Sequence, residues 1–384
     1  MKILHVIPHF APKYGGEVMV VYQLAKSQVN LGEQVDILSI DYDSDMSVLK
    51  GSGVNHHLVK CLLHVGLARY SADMKRWLRA NISSYDIVHI HSYMSHTAIV
   101  SVRIGNRQKV PTVLQAHNAL RPYGRKSALL KMFDLIWGKR IVRSSDLLLA
   151  YGDVETRAYE ELGARSENIS ILFNGIDFQE FLNLPPRGEF RSRNGIPDDD
   201  LVFVFMGRLD RIKRVGLLIR AFKVHHGENP KSRLLVVGPD HGELSDLTKL
   251  KDELGLNDSV MFIGGLYGKD RVQALVDSDV FALTSVTEGF NIAAMEAGAC
   301  GLPVILTKNS ANANLISSGM GILVGDDVGE IAAAMSRMLD SKLRKDMGDF
   351  GRELAGSQLD WNIIAQKSVR YYQDLIEGKK ERGP

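Results

Sequence analysis

Residues 284–307, TSVTEGFNIAAMEAGACGLPVILT, constrain the fold more than any other stretch of this chain. An apolar run at 279–283 breaks into small polar residues. A Glu-Gly-Phe step then leads into a helix-compatible segment at 291–299, and a second apolar run follows at 303–306. Strand, loop, helix, strand is the order of a parallel crossover, the building unit of α/β proteins.

The start of that helix has the physics of an anion site. The backbone N–H groups of Gly289, Phe290, Asn291 and Ile292 open the helix. Such groups lack an intrahelical partner and carry the positive end of the helix dipole, so a phosphate is stabilised there. Gly289 lets a ligand approach the backbone closely. Glu288 stands at the mouth of the loop, and Glu296 follows a little over two helical turns later, near the same face as the first residues of the helix. Carboxylates repel phosphate but accept hydrogen bonds from hydroxyls. Two of them around a phosphate-binding helix suit a polyol joined to a diphosphate, that is, a nucleotide sugar. Taken singly, Glu288 also reads as a helix-capping acid and Glu296 as a solvated helix residue.

The rest of the chain repeats the strand-loop-helix logic. A buried strand at 2–7 leads to Gly15-Gly16 and an amphipathic helix. A glycine pair there allows a phosphate to approach, or simply makes a tight turn; the G-x-G-x-x-G dinucleotide spacing is absent. A strand at 86–91, DIVHIH, places His89 and His91 on one face. The pair could hold a metal, but the sequence suggests no third ligand, and hydrogen-bonded strand-end histidines are the plainer reading. A strand at 111–117 ends at His117, and ligands of open α/β sheets sit at such carboxyl ends. Residues 126–144 form a basic amphipathic stretch with Phe and Trp. It suits either an anionic membrane surface or a packed helix with a solvated basic face.

Residues 183–200 are rich in Pro, Gly and charge, as linkers are. They predict a first domain over 1–183 and a second over 184–361. A strand at 201–206 then enters GRLDRIKRVGLLIRAF. Arg208 and Lys213 fall in the strand-to-helix loop, where a fork and a point charge suit a diphosphate. Arg211 and Arg214 compete for the same role.

Several of these segments resemble the retaining family 4 glycosyltransferases. E-G-F-x-I-x-x-x-E-A followed by G-x-P-V-I is similar to their E-x7-E signature. N-G-I-D at 174–177 resembles the turn that ends their first half. G-R-L-x-x-x-K matches their phosphate loop, although Arg214 stands where the family has Gly. The resemblance spans nearly the whole chain. It implies two Rossmann-like domains facing across a cleft, the glycosyltransferase-B architecture, with the terminal helix at 362–384 returning to the first domain. It implies transfer of a sugar, with retention, from a nucleoside diphosphate sugar to a hydroxyl acceptor such as a glycan or lipid-linked glycan, in cell-surface polysaccharide or glycolipid assembly.

The resemblance also implies roles. Gly15 and Gly16 lie against the donor's phosphates and sugar. Arg208 and Lys213, with backbone from Phe290 to Ile292, hold the diphosphate. Glu296 holds the ribose, and Glu288 and His117 orient the transferred sugar. No D-x-D-like pair sits beside the phosphate loops, so no metal and no other cofactor is expected. A nucleotide-sugar epimerase of the same architecture and a binding module without turnover are the rival readings.

Composition agrees with this class. A chain of 384 residues with 45% apolar residues supports two domains. The net charge of +2 gives no argument for nucleic acid. Cys61 and Cys300 form no C-x-x-C pattern, which fits a cytoplasmic setting. The apolar run in MKILHVIPHF is short for a secretion signal, and no run approaches a membrane span. Peripheral contact with the inner membrane face therefore rests on residues 126–144.

Overall fold

The computed structural model describes residues 1–11, 16–65, 68–117, 119–120 and 131–381. The chain divides into two compact units, Met1–Gly175 with Trp361–Pro384, and Ile176–Asp360.

The first unit holds β1 (Lys2–Ile7), α1 (Gly16–Asn30), β2 (Gln34–Asp41), β3 (Asn55–Lys60), β4 (Leu63–Val65), β5 (Ala68–Tyr70), α2 (Ala72–Asn81), β6 (Ile87–His91), α3 (His96–Gln108), β7 (Thr112–Gln115), β8 (Leu147–Ala150) and β9 (Ile169–Ile171). Seven strands form one parallel sheet in the order β3-β2-β1-β6-β7-β8-β9, and β4 and β5 pair as a small antiparallel ribbon. The alternation of strand side chains splits the core. Leu4, Val6, Val88 and Ile90 pack with Met74, Leu78 and Val102 on one face. His5, His89 and His91 occupy the other face, and all three are fully buried.

The second unit holds β10 (Leu201–Met206), α4 (Val215–Glu228), β11 (Ser232–Val237), β12 (Val260–Gly264), α5 (Gly268–Val276), β13 (Val280–Leu283), α6 (Ile292–Ala299), β14 (Val304–Thr307), β15 (Gly321–Val324) and α7 (Ser341–Gln358). The terminal helix α8 (Trp361–Glu381) belongs to the first unit, where it packs on α1. The second sheet is parallel throughout, in the order β12-β11-β10-β13-β14-β15. Its central strands are near-continuous buried apolar runs, as a sheet covered on both faces requires. In each sheet the strand order reverses beside the first strand, between β1 and β6 and between β10 and β13. Ligands of doubly wound sheets bind outside the strand ends at such points.

The division differs from the expected linker at 183–200. That stretch packs onto the second unit because Arg191 is buried there and fully bonded. Its guanidinium donates to Asp277 O at 2.8 Å, Pro197 O at 2.8 Å and Asp200 O at 3.0 Å, and pairs with Asp279 at 2.8 Å. The Asp277 carboxylate accepts from the N–H groups of Gly188 and Phe190, each at 2.6 Å. High charge and proline content here serve a satisfied buried network rather than a solvated tether.

Candidate functional site

The loop after β10 carries four cations, and the structure separates their roles. Arg208 keeps its side chain 60% exposed and pairs with Asp210 at 3.5 Å. Arg211 lies further out, on Glu243 at 3.2 Å. Arg214 is tied down: its Nε donates to Thr284 O at 3.1 Å and its Nη2 pairs with Asp326. It takes φ +49°, the left-handed region, which explains why glycine suits this position in the family pattern. Lys213 points inward, and its Nζ donates to Glu288 Oε1 at 2.5 Å. The loop itself is seated closely on its neighbour, since a Cβ at Gly238 would stand 1.7 Å from Gly207 O.

Glu288 is held from several sides. Ser285 Oγ donates to the same carboxylate oxygen that meets Lys213. The backbone N–H of Glu288 donates to Asn309 O at 3.1 Å, and its carbonyl accepts from Ala311 N at 3.2 Å. Glu288 does not cap α6. That task falls to Asn291, whose Oδ1 accepts from Ala294 N at 2.8 Å. The helix therefore starts at Ile292, one residue later than expected. Gly289 and the buried Phe290 form the step between the carboxylate and the cap.

Glu296 lies in the last turn of α6 and is buried rather than solvated. Burial pushes its pKa up, and Arg271, on α5, opposes that shift. Arg271 Nη1 donates to Glu296 Oε1, and Nη2 donates to Glu180 Oε2 at 2.7 Å. Cys300 lies in the same environment: burial and the Glu296 charge raise its thiol to about 12, so it is unreactive.

In the first unit, Gly16 opens α1 and is exposed; a Cβ there would meet nothing within 4 Å. Its packing does not demand glycine, whereas a ligand at the helix start would. Gly15 lies outside the described residues, as does the 126–130 part of the amphipathic stretch. Within the described part of that stretch, Phe133, Ile141 and Val142 turn inward. Met132, Leu135, Ile136 and Trp137 are exposed beside Lys131, Lys139 and Arg140. No helix of the described residues is long and apolar enough to cross a membrane.

His117 follows β7 with φ +52°, and both its ring nitrogens are engaged. Nδ1 meets Tyr151 Oη and Nε2 meets His91 Nδ1 at 2.8 Å. His91 Nε2 meets His5 Nδ1 at 2.8 Å, and His5 Nε2 meets Gln28 Oε1 at 2.7 Å. The direction of these bonds is set at the far end. Ser368 Oγ donates to Ala365 O at 2.7 Å and therefore accepts from Gln28 Nε2 at 2.9 Å. The amide oxygen of Gln28 then faces His5, which must carry its proton on Nε2. The same tautomer propagates through His91 to His117, and Tyr151 donates into the last ring. Burial holds all of these rings neutral, with His5 lowered to about 4 and His117 to about 3.

The expectation that His89 and His91 lack a third imidazole is corrected: His5 stands with them, their ligand nitrogens within 4.8 Å of one another. The directional chain already satisfies His5 and His91 without a cation. His89 Nε2 and Gln115 Oε1 are among the buried side-chain atoms without a hydrogen-bond partner among the described residues. Tyr372 Oη, on α8, meets His89 Nδ1 at 2.7 Å.

Residues 186–354 match the family model of Glycosyl transferases group 1, and residues 14–180 match that of Glycosyltransferase Family 4. A D-inositol 3-phosphate glycosyltransferase of Corynebacterium jeikeium is 29% identical over 84% of this chain and 80% of its own length. An uncharacterized glycosyltransferase of Methanocaldococcus jannaschii is 26% identical over 98% of this chain and 99% of its own. Among solved structures, Anabaena HepE in complex with UDP and glucose superposes with a TM-score of 0.76 at 20% identity, covering 97% of this chain and all of that one.

Proposed function

Because the chain is a glycosyltransferase of the glycosyltransferase-B type, with two Rossmann-like α/β units, we propose that it moves a sugar from a nucleoside diphosphate sugar to a hydroxyl acceptor with retention at the anomeric carbon. The observation that carries the reading is the Lys213–Glu288 pair at the β10/β13 switch point. It lies on the loop that leads to the start of α6 and on the loop that carries the exposed Arg208. A diphosphate there meets Arg208, Lys213 and helix N–H groups, which stabilise the charge that develops as the sugar leaves. Glu296 receives ribose hydroxyls, and Glu288 faces the transferred sugar. The departing diphosphate accepts the acceptor's proton.

UDP-sugars are the first donors to try, since HepE was solved with UDP and glucose, and D-inositol 3-phosphate is the first acceptor, from the name of the Corynebacterium jeikeium relative. Cell-surface glycans and lipid-linked glycans come next. A thermal-shift screen of uridine, guanosine and adenosine diphosphate sugars tests the donor reading. A donor at about a hundred times its Kd adds roughly 2.7 kcal/mol of stability. If no nucleotide sugar shifts the transition, the donor site is wrongly assigned.

Protein cations and the helix dipole take the charge that a divalent ion would otherwise take. Transfer is therefore expected to continue at an unchanged rate in excess EDTA. Loss of transfer in the chelator, with recovery on adding manganese or magnesium, would refute metal independence.

A further inference from the structure

We propose that Arg271 is a positioning residue for donor recognition: it holds the Glu296 carboxylate ionised and oriented so that both hydroxyls of the donor's ribose can donate to it. The proposal rests on the reading of Glu296 as the ribose acceptor and adds a residue that the E-x7-E pattern does not contain.

The geometry is specific. Arg271 reaches Glu296 from α5 with Nη1 and Glu180 with Nη2, so one guanidinium bridges two carboxylates. Its Nε–H is buried and has no acceptor among the described residues. Only Oε1 of Glu296 is engaged by the bridge, which leaves Oε2 and one lone pair of Oε1 for hydroxyls. A carboxylate accepts from two hydroxyls at once, whereas a protonated carboxyl must give up an acceptor position to carry its own proton.

Ionisation is the difficulty at this position. Glu296 is buried, which favours the neutral acid. The groups that face it are Arg271 from α5, Glu180 from the short helical turn Phe178–Phe181, and Cys300 just beyond the end of α6. Arg352 of α7 lies close by, donating to Ala299 O at 3.1 Å and Phe181 O at 3.0 Å. Arg271 is the cation in direct contact with the carboxylate, and Glu180 works against it. Removing Arg271 therefore raises the pH at which Glu296 takes up a proton, and removing the Glu180 charge lowers it.

Calorimetric Kd values for UDP, GDP and ADP and their 2′-deoxy counterparts, from about pH 5 to about pH 9, test this on the full chain. In the wild type, affinity for the ribonucleotide that binds falls at the acid end, and the 2′-deoxy form binds more weakly. Arg271→Gln should move that acid limb to higher pH, so that binding at the acid end weakens by up to about tenfold for each unit of displacement. Arg271→Lys should restore the limb while leaving affinity reduced, because ammonium supplies the charge without the fork. Glu180→Gln removes an exposed charge and should move the limb the opposite way, which keeps the test sound if Arg271→Gln folds poorly. Limbs that overlay the wild type in both variants, while Glu296→Gln still weakens binding, would overturn the role of Arg271. Failure of Glu296→Gln to affect any nucleotide would instead remove the ribose assignment beneath it.

Discussion

Replacing Glu288 by Gln is expected to lower kcat by at least about a hundredfold while nucleoside diphosphate binding stays the same or tightens. The carboxylate is assigned to the sugar beside the anomeric carbon, where positive charge builds up during transfer. Its interaction grows toward the transition state and so appears in kcat. The free diphosphate never meets the sugar position. Glu288 also binds the Lys213 ammonium at 2.5 Å. An amide at 288 leaves that cation available for phosphate, which accounts for the tightening. Glu296→Gln should behave differently and raise donor KM with a smaller change in kcat, because ribose contacts vary little along the reaction. Steady-state kinetics with the sugar donor and calorimetry with the diphosphate separate the two. Wild-type turnover in Glu288→Gln would remove it from the reacting centre.

Lys213 is a poorer probe than Glu288, for a reason the pair makes clear. Lys213→Ala leaves a mostly buried carboxylate without its cation, so lost activity mixes with lost stability. Arg208, exposed and weakly paired, can be replaced at little structural cost. Its loss of turnover then reports on the phosphate alone.

The second large effect concerns acid. The first unit should lose stability steeply as pH falls from about 6.5 toward about 4. An unfolded histidine takes up a proton near pH 6.5. Native His5 resists until about 4, and His89 and His91 lie well below the ordinary value too, all because of burial. Stability from these neutral rings is complete above the unfolded pKa and drains away as protons bind the unfolded chain first. His5 alone accounts for about 2 kcal/mol by pH 5. Trp77, Trp137 and Trp361, which are all of the tryptophans, lie in the first unit, so their fluorescence reports on it. Urea midpoints that agree at pH 7.5 and pH 5 would show that the rings are not held neutral.

The α/β class, the parallel crossover and the pairing of two loops at a strand end were legible because they depend on local patterns. Apolar runs mark strands, and small polar residues mark their ends. The readings that shifted depend on contacts distant in sequence. Arg271 precedes Glu296 by a whole loop, strand and turn, and nothing around residue 271 announces a partner. The third imidazole comes from β1, next to β6 in the sheet but far from it along the chain. Arg191 looked like linker chemistry because charge and proline are common to both settings, and only the acceptors around it decide. Arg214 departs from the family pattern in residue type, yet keeps the left-handed backbone that the glycine served.

The place of α8 in the first unit has a consequence for synthesis. The second unit is one uninterrupted stretch, Ile176–Asp360, and every residue it packs has left the ribosome before α8 does. The first unit, begun earlier, finishes later. Gln28 and His89 wait for Ser368 and Tyr372, the last partners of a polar layer that is otherwise formed from strands and α1. Until α8 arrives, that layer faces water along one side, and the chain carries one completed domain beside one still open. The older half of the molecule is thus the last to close, and the interval in which chaperones or proteases can reach its core is set by the time needed to translate the other half.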